Sequence, residues 1–303
     1  MDKKLKKYLI IGATGLIGRA VSDALGGDSV WQGTTYPKPS NGLLKLDITN
    51  QREVRKVFLK THPTHVIHCA NLAGGVDFCQ KNPEMAKKFH FNGTINLGAE
   101  CLRHKSRFIF ISSECVFDGK KVEYSEDDLH SPLNIYGKHK AMSEKWVINN
   151  MKNYAIARTM SVFGWDPDTK TPNALMNLFF SIIKKKQIEA PVFRWGNPTY
   201  VKDLASALVE LAEFESSGIF HITGESFLNR YEWMLKACHV LGWDSSSIKP
   251  KIEPEEADMI RPMRVNLNTD KFKRIFTTRL SNLTEALNSI KYDIKEKTEY
   301  INV

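Results

Sequence analysis

Residues Tyr8-Leu9-Ile10-Ile11-Gly12-Ala13-Thr14-Gly15-Leu16-Ile17-Gly18-Arg19 read as an apolar strand, a G-x-x-G-x-x-G turn and the opening of a helix. Each glycine has a physical reason. Gly12 permits the tight turn out of the strand, Gly15 lets backbone approach a pyrophosphate, and Gly18 lets the helix pack closely on the sheet. The free N–H groups and positive dipole end of that helix then face phosphate. A glycine triplet alone is a weak signal, but a strand before it and a βαβ series after it make it a dinucleotide site.

The series does follow. Short apolar, β-branched runs at Tyr8–Ile11, Val30–Gly33, His65–Cys69, Arg107–Ser112 and Tyr154–Arg158 alternate with helical patterns near 16–26, 51–61, 83–104 and 136–151. Such alternation predicts a parallel sheet with helices on both faces, an α/β doubly wound Rossmann architecture. After about residue 160 the rhythm changes. Loops are expected around Gly164–Asp168 and Thr171–Asn173, helices near 174–186, 201–213 and 230–241, a strand at Gly218–Ile222, and two short helical patterns at the end. We divide the chain into a dinucleotide-binding domain over 1–160 and a smaller α/β substrate lobe over 161–303, with 200–222 returning to the main sheet.

Composition limits the partners. With 43 Lys+Arg against 34 Asp+Glu the formal charge is +9, which invites nucleic acid, an acidic membrane or an anionic small molecule. The clusters are short, as at Lys3–Lys7, Lys87-Lys88 and Lys184–Lys186, and read as solvated faces. Basic and aromatic residues are not interleaved as a nucleic-acid surface requires. Trp195, Trp233 and Trp243 read as packing residues. No apolar run reaches the length of a membrane-spanning helix. The five cysteines form no C-x-x-C pair, and the spacings of His62, His65 and His68 do not suit a metal, so no metal site and a reducing, cytoplasmic setting are expected.

The chemistry is carried by Tyr136-Gly137-Lys138-His139-Lys140, a Y-x-x-x-K that puts Tyr136 and Lys140 on one helix face. Lys140 is expected to lower the Tyr136 phenol's pKa. Ser113, just past the fourth strand, lies at the carboxyl edge of the sheet, where such sheets bind ligands. It would orient a substrate carbonyl while Tyr136 protonates it as hydride arrives. The residues after the second strand, Gly33-Thr34-Thr35-Tyr36-Pro37-Lys38, contain no acid to hold an adenosine ribose. Thr34, Thr35 and Lys38 could instead accommodate a 2′-phosphate, which favours NADPH over NADH; the alternative is that Lys38 is a surface loop lysine.

The whole set resembles an extended short-chain dehydrogenase/reductase, and most closely the dTDP-4-dehydrorhamnose reductase branch, which reduces nucleotide-linked 4-keto-6-deoxy sugars. The matching stretches are Gly12–Gly18, Leu46-Asp47-Ile48, Cys69-Ala70-Asn71, Asn92-Gly93-Thr94, Ser112–Gly119, Tyr136–Lys140, Arg158-Thr159, Asn197–Leu204, Gly218–Gly224 and Arg261-Pro262. The resemblance implies catalysis by Ser113, Tyr136 and Lys140. It implies cofactor contacts from Gly12, Thr14, Gly15, Leu16, Ile17, Gly18, Asp47, Ile48, Cys69, Ala70, Asn71, Tyr136 and Lys140. Some members use Mg²⁺ at a dimer contact, and no residue cluster here requires it. Candidate substrate contacts are Glu114, Cys115, Asn173, Arg194, Lys202 and Arg261. A homodimer packed through surface helices is the default assembly.

Two positions depart from the branch. Its Ser-Thr-Asp-Tyr-Val-Phe stretch is here Ser112-Ser113-Glu114-Cys115-Val116-Phe117, so a tyrosine near the substrate becomes Cys115. Its Arg-Thr-Ser-Trp is Arg158-Thr159-Met160-Ser161, so a pocket tryptophan becomes Ser161, with Trp165 nearby. Cys115 reads as a packing residue rather than a reactive thiol. Two other readings stay open. The chain also resembles the NADP-binding regulatory β subunit of methionine adenosyltransferase. Glu114, an acid beside the catalytic hydroxyl, keeps a sugar-nucleotide epimerase or dehydratase in view.

Overall fold

The structure is a computed structural model that describes residues 5–297, apart from 28, 39, 41 and 168–171. Of the predicted loops, Asp168 and Thr171 lie outside the described residues. Seven strands form the main sheet: β1 (Lys7–Ile11), β2 (Val30–Thr35), β3 (Leu44–Lys45), β4 (His65–His68), β5 (Arg107–Ser113), β6 (Tyr154–Thr159) and β7 (Gly218–His221). All pairs are parallel and the order is β7-β6-β5-β4-β1-β2-β3. The direction of winding reverses between β1 and β4, which leaves a crevice at their carboxyl ends.

The strands read as continuous apolar runs because both faces are covered. Tyr8, Ile10, Ile109, Ile111, Ala155 and Ala157 meet helices Leu16–Leu25 and Val201–Glu213 on one side. Leu9, Ile11, Phe108, Phe110 and Ile156 meet helices Gln51–Thr61, Gly93–His104 and Ile135–Asn150 on the other. A third core, around Phe163, Leu175, Trp233, Ile248 and Leu287, binds together helices Ala174–Ile183, Arg230–Leu241 and Leu283–Lys297. Short paired strands complete this second part, among them Ile188–Pro191 beside Ile248–Lys251.

One strand escapes the sequence reading and two expectations are corrected. β3 is a two-residue strand, too short for periodicity to show. The predicted helix over 83–104 is broken: helix Pro83–Ala86 runs into a wide π turn at Lys87–Asn92 before Gly93–His104 begins. Such turns are rare insertions within a helical run, and they recur at functional sites. The tail's second helical pattern is a 15-residue helix, Leu283–Lys297.

A buried ion pair joins the sheet to helix Ile135–Asn150. Arg158 of β6 donates from Nε to both Glu144 oxygens (3.0 and 3.1 Å) and from Nη2 to Oε2 (2.7 Å). His130 Nε2 lies 2.8 Å from the same carboxylate. Burial opposes the charge on Glu144, but the bonds from His130 and Arg158 outweigh it and hold its carboxyl down to about 2.

Two outcomes follow. A Cβ on Gly18 would sit 2.2 Å from the Gly12 carbonyl oxygen, so Gly18→Ala is expected to cost about 1–3 kcal/mol in urea unfolding; an unchanged midpoint would contradict the packing. Because Glu144 is depressed in the folded state, its contribution is full above its ordinary value near 4.5 and is lost as pH falls towards 2. Thermal melts between pH 5 and 2.5 should therefore fall more steeply for the native chain than for Glu144→Gln.

Candidate active site

The glycine turn is built as a cradle. Ala13 N donates to Thr34 O (2.8 Å), Gly12 N to Thr34 Oγ1 (3.1 Å) and Gly15 N to Gly12 O (3.1 Å). Gly12 has φ +82°, and a Cβ there would lie 2.8 Å from the Ala70 Cα. Gly15 caps helix Leu16–Leu25 without any side-chain bond to its first-turn amides. The N–H groups at Leu16, Ile17 and Gly18 therefore open towards the crevice between β1 and β4, where an anion is favoured. Thr14 Oγ1 stands 3.5 Å from Thr35 Oγ1 at the crevice edge. Cys69 N donates to Ile11 O (2.9 Å), so Cys69 and Ala70 form the opposite wall and exposed Asn71 forms its rim. Burial pushes the Cys69 thiol up to about 12.

Beyond the turn lies a cavity of about 580 Å³ bordered by Tyr36, Asp47, Leu72, Lys87, Lys88 and Asn92. Asp47 Oδ1 accepts from Thr49 N at 2.9 Å. Ile48 is set back from the cavity and packs against the backbone of Gly93. Thr34 Oγ1 accepts from Gly12 N, and the Thr35 hydroxyl donates to the Lys38 carbonyl (3.1 Å). Lys38 itself is exposed. Lys87 and Lys88, read above as a solvated face, border the cavity because the π turn carries them there.

Ser113 ends β5, and Tyr136 and Lys140 come from helix Ile135–Asn150. The Asn134 side chain caps that helix by accepting from Gly137 N (2.8 Å) and donates to Ile260 O (2.9 Å). Gly137 makes the approach possible: a Cβ there would lie 1.9 Å from the Cys115 carbonyl oxygen. The Tyr136 phenol is raised rather than lowered as expected. The Lys140 ammonium donates to Ile111 O (2.8 Å) and sits 4.8 Å above the Phe110 ring and 5.7 Å from the Tyr136 ring centre. Burial, then the nearby Cys115 and Glu114, push Tyr136 well above its ordinary value, and a bond with Ser113 only partly offsets this. Burial likewise brings Lys140 down to about 8 against the pull of Glu144. The His90 ring meets Tyr136 edge-on at 5.1 Å, and burial followed by Lys140 holds that imidazole neutral.

The Ser113 hydroxyl donates to the Glu114 carboxylate, and its oxygen accepts from Cys115 N at 3.3 Å. Burial raises Glu114, and it raises the Cys115 thiol well above the usual range. Both residues open onto a second cavity, of about 130 Å³, whose other walls carry Ser161, Arg194, Trp195, Arg230, Trp233 and Arg261. Arg194 Nη2 donates to Asp258 (2.8 Å), and Arg261 pairs with Asp77 across the cleft (2.7 Å). Arg230 lies 5.5 Å over the Trp233 ring with no carboxylate bonded to it among the described residues, and burial brings it down to about 10. Arg194 Nε and Trp233 Nε1 are buried donors without an acceptor.

Two expected substrate residues lie elsewhere. Lys202 pairs with Asp293 at 2.7 Å on an exposed face. Asn173 caps helix Ala174–Ile183 and donates to Gly164 O. Trp165 packs on Phe179 and Trp243, so it does not replace the tryptophan missing at Ser161. Trp195 and Trp233, expected only to pack, border the cavity. Arg230 was missed, although the Asn229–Glu232 capping box marks it as the first residue of a helix. Among the described residues no three His, Cys, Asp or Glu side chains could hold a metal, and no helix is long and apolar enough to cross a membrane.

The chain has known relatives. The chain is 29% identical to "Methionine adenosyltransferase 2 subunit beta" of Xenopus tropicalis, over 89% of this chain and 82% of that one. It is 27% identical to "dTDP-4-keto-6-deoxy-D-glucose reductase" of Streptomyces niveus, over 93% and 95%. The crystal structure of a dTDP-4-dehydrorhamnose reductase from Clostridium acetobutylicum superimposes with a TM-score of 0.85 at 26% identity, covering 96% of this chain and 99% of that one. A family model, the RmlD substrate binding domain, matches residues 6–295. With its seven-stranded parallel sheet and glycine turn, the chain belongs to the RmlD family of extended short-chain dehydrogenases/reductases.

Proposed function

We propose that this chain is an NADP(H)-dependent reductase of a nucleotide-activated 4-keto-6-deoxy sugar. The observation that carries the reading is the juxtaposition at the sheet edge. Ser113 and Tyr136 stand beside Glu114 and Cys115, which line a cavity that also carries Arg194, Arg230, Arg261 and the buried Trp233 indole N–H. The hydroxyls suit a carbonyl oxygen and the arginines suit a diphosphate. The open first turn of helix Leu16–Leu25 and the cradle that a Cβ at Gly12 would fill suit a dinucleotide. Bound there, the nicotinamide supplies hydride to the carbonyl carbon.

The chain's own groups do the rest. Burial keeps the Tyr136 phenol protonated, the form a proton donor needs, and it delivers that proton to the oxygen as negative charge grows. Ser113 turns its hydroxyl from Glu114 to the same oxygen. Lys140, released from Ile111 O, supplies the positive charge beside both. The diphosphate replaces Asp258 and Asp77 as partner of Arg194 and Arg261, and Arg230 gains its first anionic partner. On this reading residues 1–160 hold the cofactor and most of 161–303 hold the sugar nucleotide. The absence of an acid after β2 and the presence of Lys87 and Lys88 favour NADPH. The five unpaired cysteines suit a reducing, cytoplasmic setting.

A second reading is a cofactor-binding partner subunit, favoured by the similarity to the methionine adenosyltransferase 2 subunit beta. Side-chain variants separate the two. Tyr136→Phe is expected to lower reductase kcat by about 10²–10⁴-fold in a protein that still binds NADPH; undiminished turnover would sink the proton-donor role. Arg230→Met is expected to raise KM for the sugar nucleotide about tenfold, the loss of one charge-assisted contact. An unchanged KM would remove Arg230 from the diphosphate site.

A further inference from the structure

We infer that Glu144 is a positioning residue: through its ion pair with Arg158 it sets the register between the helix that carries Tyr136 and Lys140 and the strand end that carries Ser113. Neither partner touches either cavity. Both are nonetheless buried, Glu144 at 0% and Arg158 at 1% exposure. Glu144 lies four residues past Lys140 and eight past Tyr136, on the same helix face. Arg158 stands in β6 at the position paired with Ser112, one residue before Ser113. The fork of three bonds between them therefore ties the helix to the strand register at the serine.

Arg158 is also a hub. Its Nη1 donates to the Glu126 carbonyl (3.2 Å) and to His221 Nε2 (3.3 Å), and its Nη2 lies 2.9 Å from His130 Nε2. His221 N donates to Glu126 Oε1 at 3.0 Å. The helix, β6, β7 and the loop that bears Glu126 and His130 thus converge on one guanidinium. As a source of stability this is a poor device, since a well-packed apolar pair serves as well as a buried ion pair. What an apolar pair cannot do is fix direction, as the planar fork does. Among the described residues this helix face is tied to β5 by the bond between Tyr136 and Ser113 and by Lys140 on Ile111 O, and all three of those side chains are needed at the reaction. Glu144 is left to hold the helix while Lys140 works.

The test compares Glu144→Gln, Arg158→Lys and the apolar double variant Glu144→Leu/Arg158→Met with the native chain. Only its kinetic arm rests on the reductase reading. Each variant is expected to lose about tenfold or more in kcat, the scale of a small misplacement at a reacting centre, with KM for NADPH unchanged. In the double variant, thermal stability returns close to native while kcat stays low. Hydrogen exchange of amides 135–141 in the NADP-loaded protein is expected to quicken about tenfold or more in the same variant. A double variant that regains native melting, native exchange and native kcat would overturn the proposal, because the pair would then be structural only. A double variant that fails to fold leaves Arg158→Lys, which keeps the charge and loses the fork, to decide by the same readouts. If the native chain turns over no sugar nucleotide, the reductase reading fails and the exchange measurement alone decides the role of Glu144.

Discussion

The site depends on backbone approaching backbone at the carboxyl edge of the sheet. At Gly12 the chain passes so close to Ala70 that no side chain fits between β1 and the segment after β4. At Gly137 the first turn of the tyrosine helix lies against the Cys115 carbonyl. The first approach opens the phosphate cradle, and the second brings Tyr136 to Ser113. Both are contacts that a methyl group would break. The parallel sheet supplies the rigid frame, because its strands are buried on both faces and cannot shift without unpacking two cores.

Electrostatics divides the crevice into two ends. At the hydroxyl end, burial keeps protons on Tyr136, Cys115 and Glu114 more firmly than water would. Across the same cavity Arg194 and Arg261 pair with Asp258 and Asp77, Arg230 has no bonded carboxylate among the described residues, and two buried donors have no acceptor. One end is suited to give a proton and the other to receive an anion. The overall charge of +9 says less than this local arrangement, since many of the basic residues behind it are exposed lysines such as Lys60 and Lys105.

How much of this was legible in the sequence follows from the range over which each feature is encoded. The glycine turn, the strands β1, β4, β5 and β6, and the Tyr136–Lys140 spacing are local, so composition and period reveal them. The π turn at Lys87–Asn92 is local too, yet such turns are rare and the apolar period alone does not place them. The arginine wall is not local: Arg194, Arg230 and Arg261 come from three segments that meet only after the second part has folded. Lys202 and Asn173 looked available because the sequence does not show Asp293 or the amides of the next helix turn waiting for them. The reversed expectation for Tyr136 has the same origin. Spacing puts Lys140 on its face of the helix, but only the packed structure shows the ammonium docked on Ile111.

The central claim is hydride transfer to a sugar-nucleotide carbonyl, and isotope transfer tests it most directly. The native chain would be incubated with NADPH deuterated at the transferable position and a panel of dTDP-, UDP-, GDP- and CDP-linked 4-keto-6-deoxy sugars. The account predicts that one member of the panel acquires a single deuterium on its new carbinol carbon, with one NADPH consumed per product. NADPH that binds but is never consumed, with no label in any sugar, would contradict it and leave the partner-subunit reading in its place.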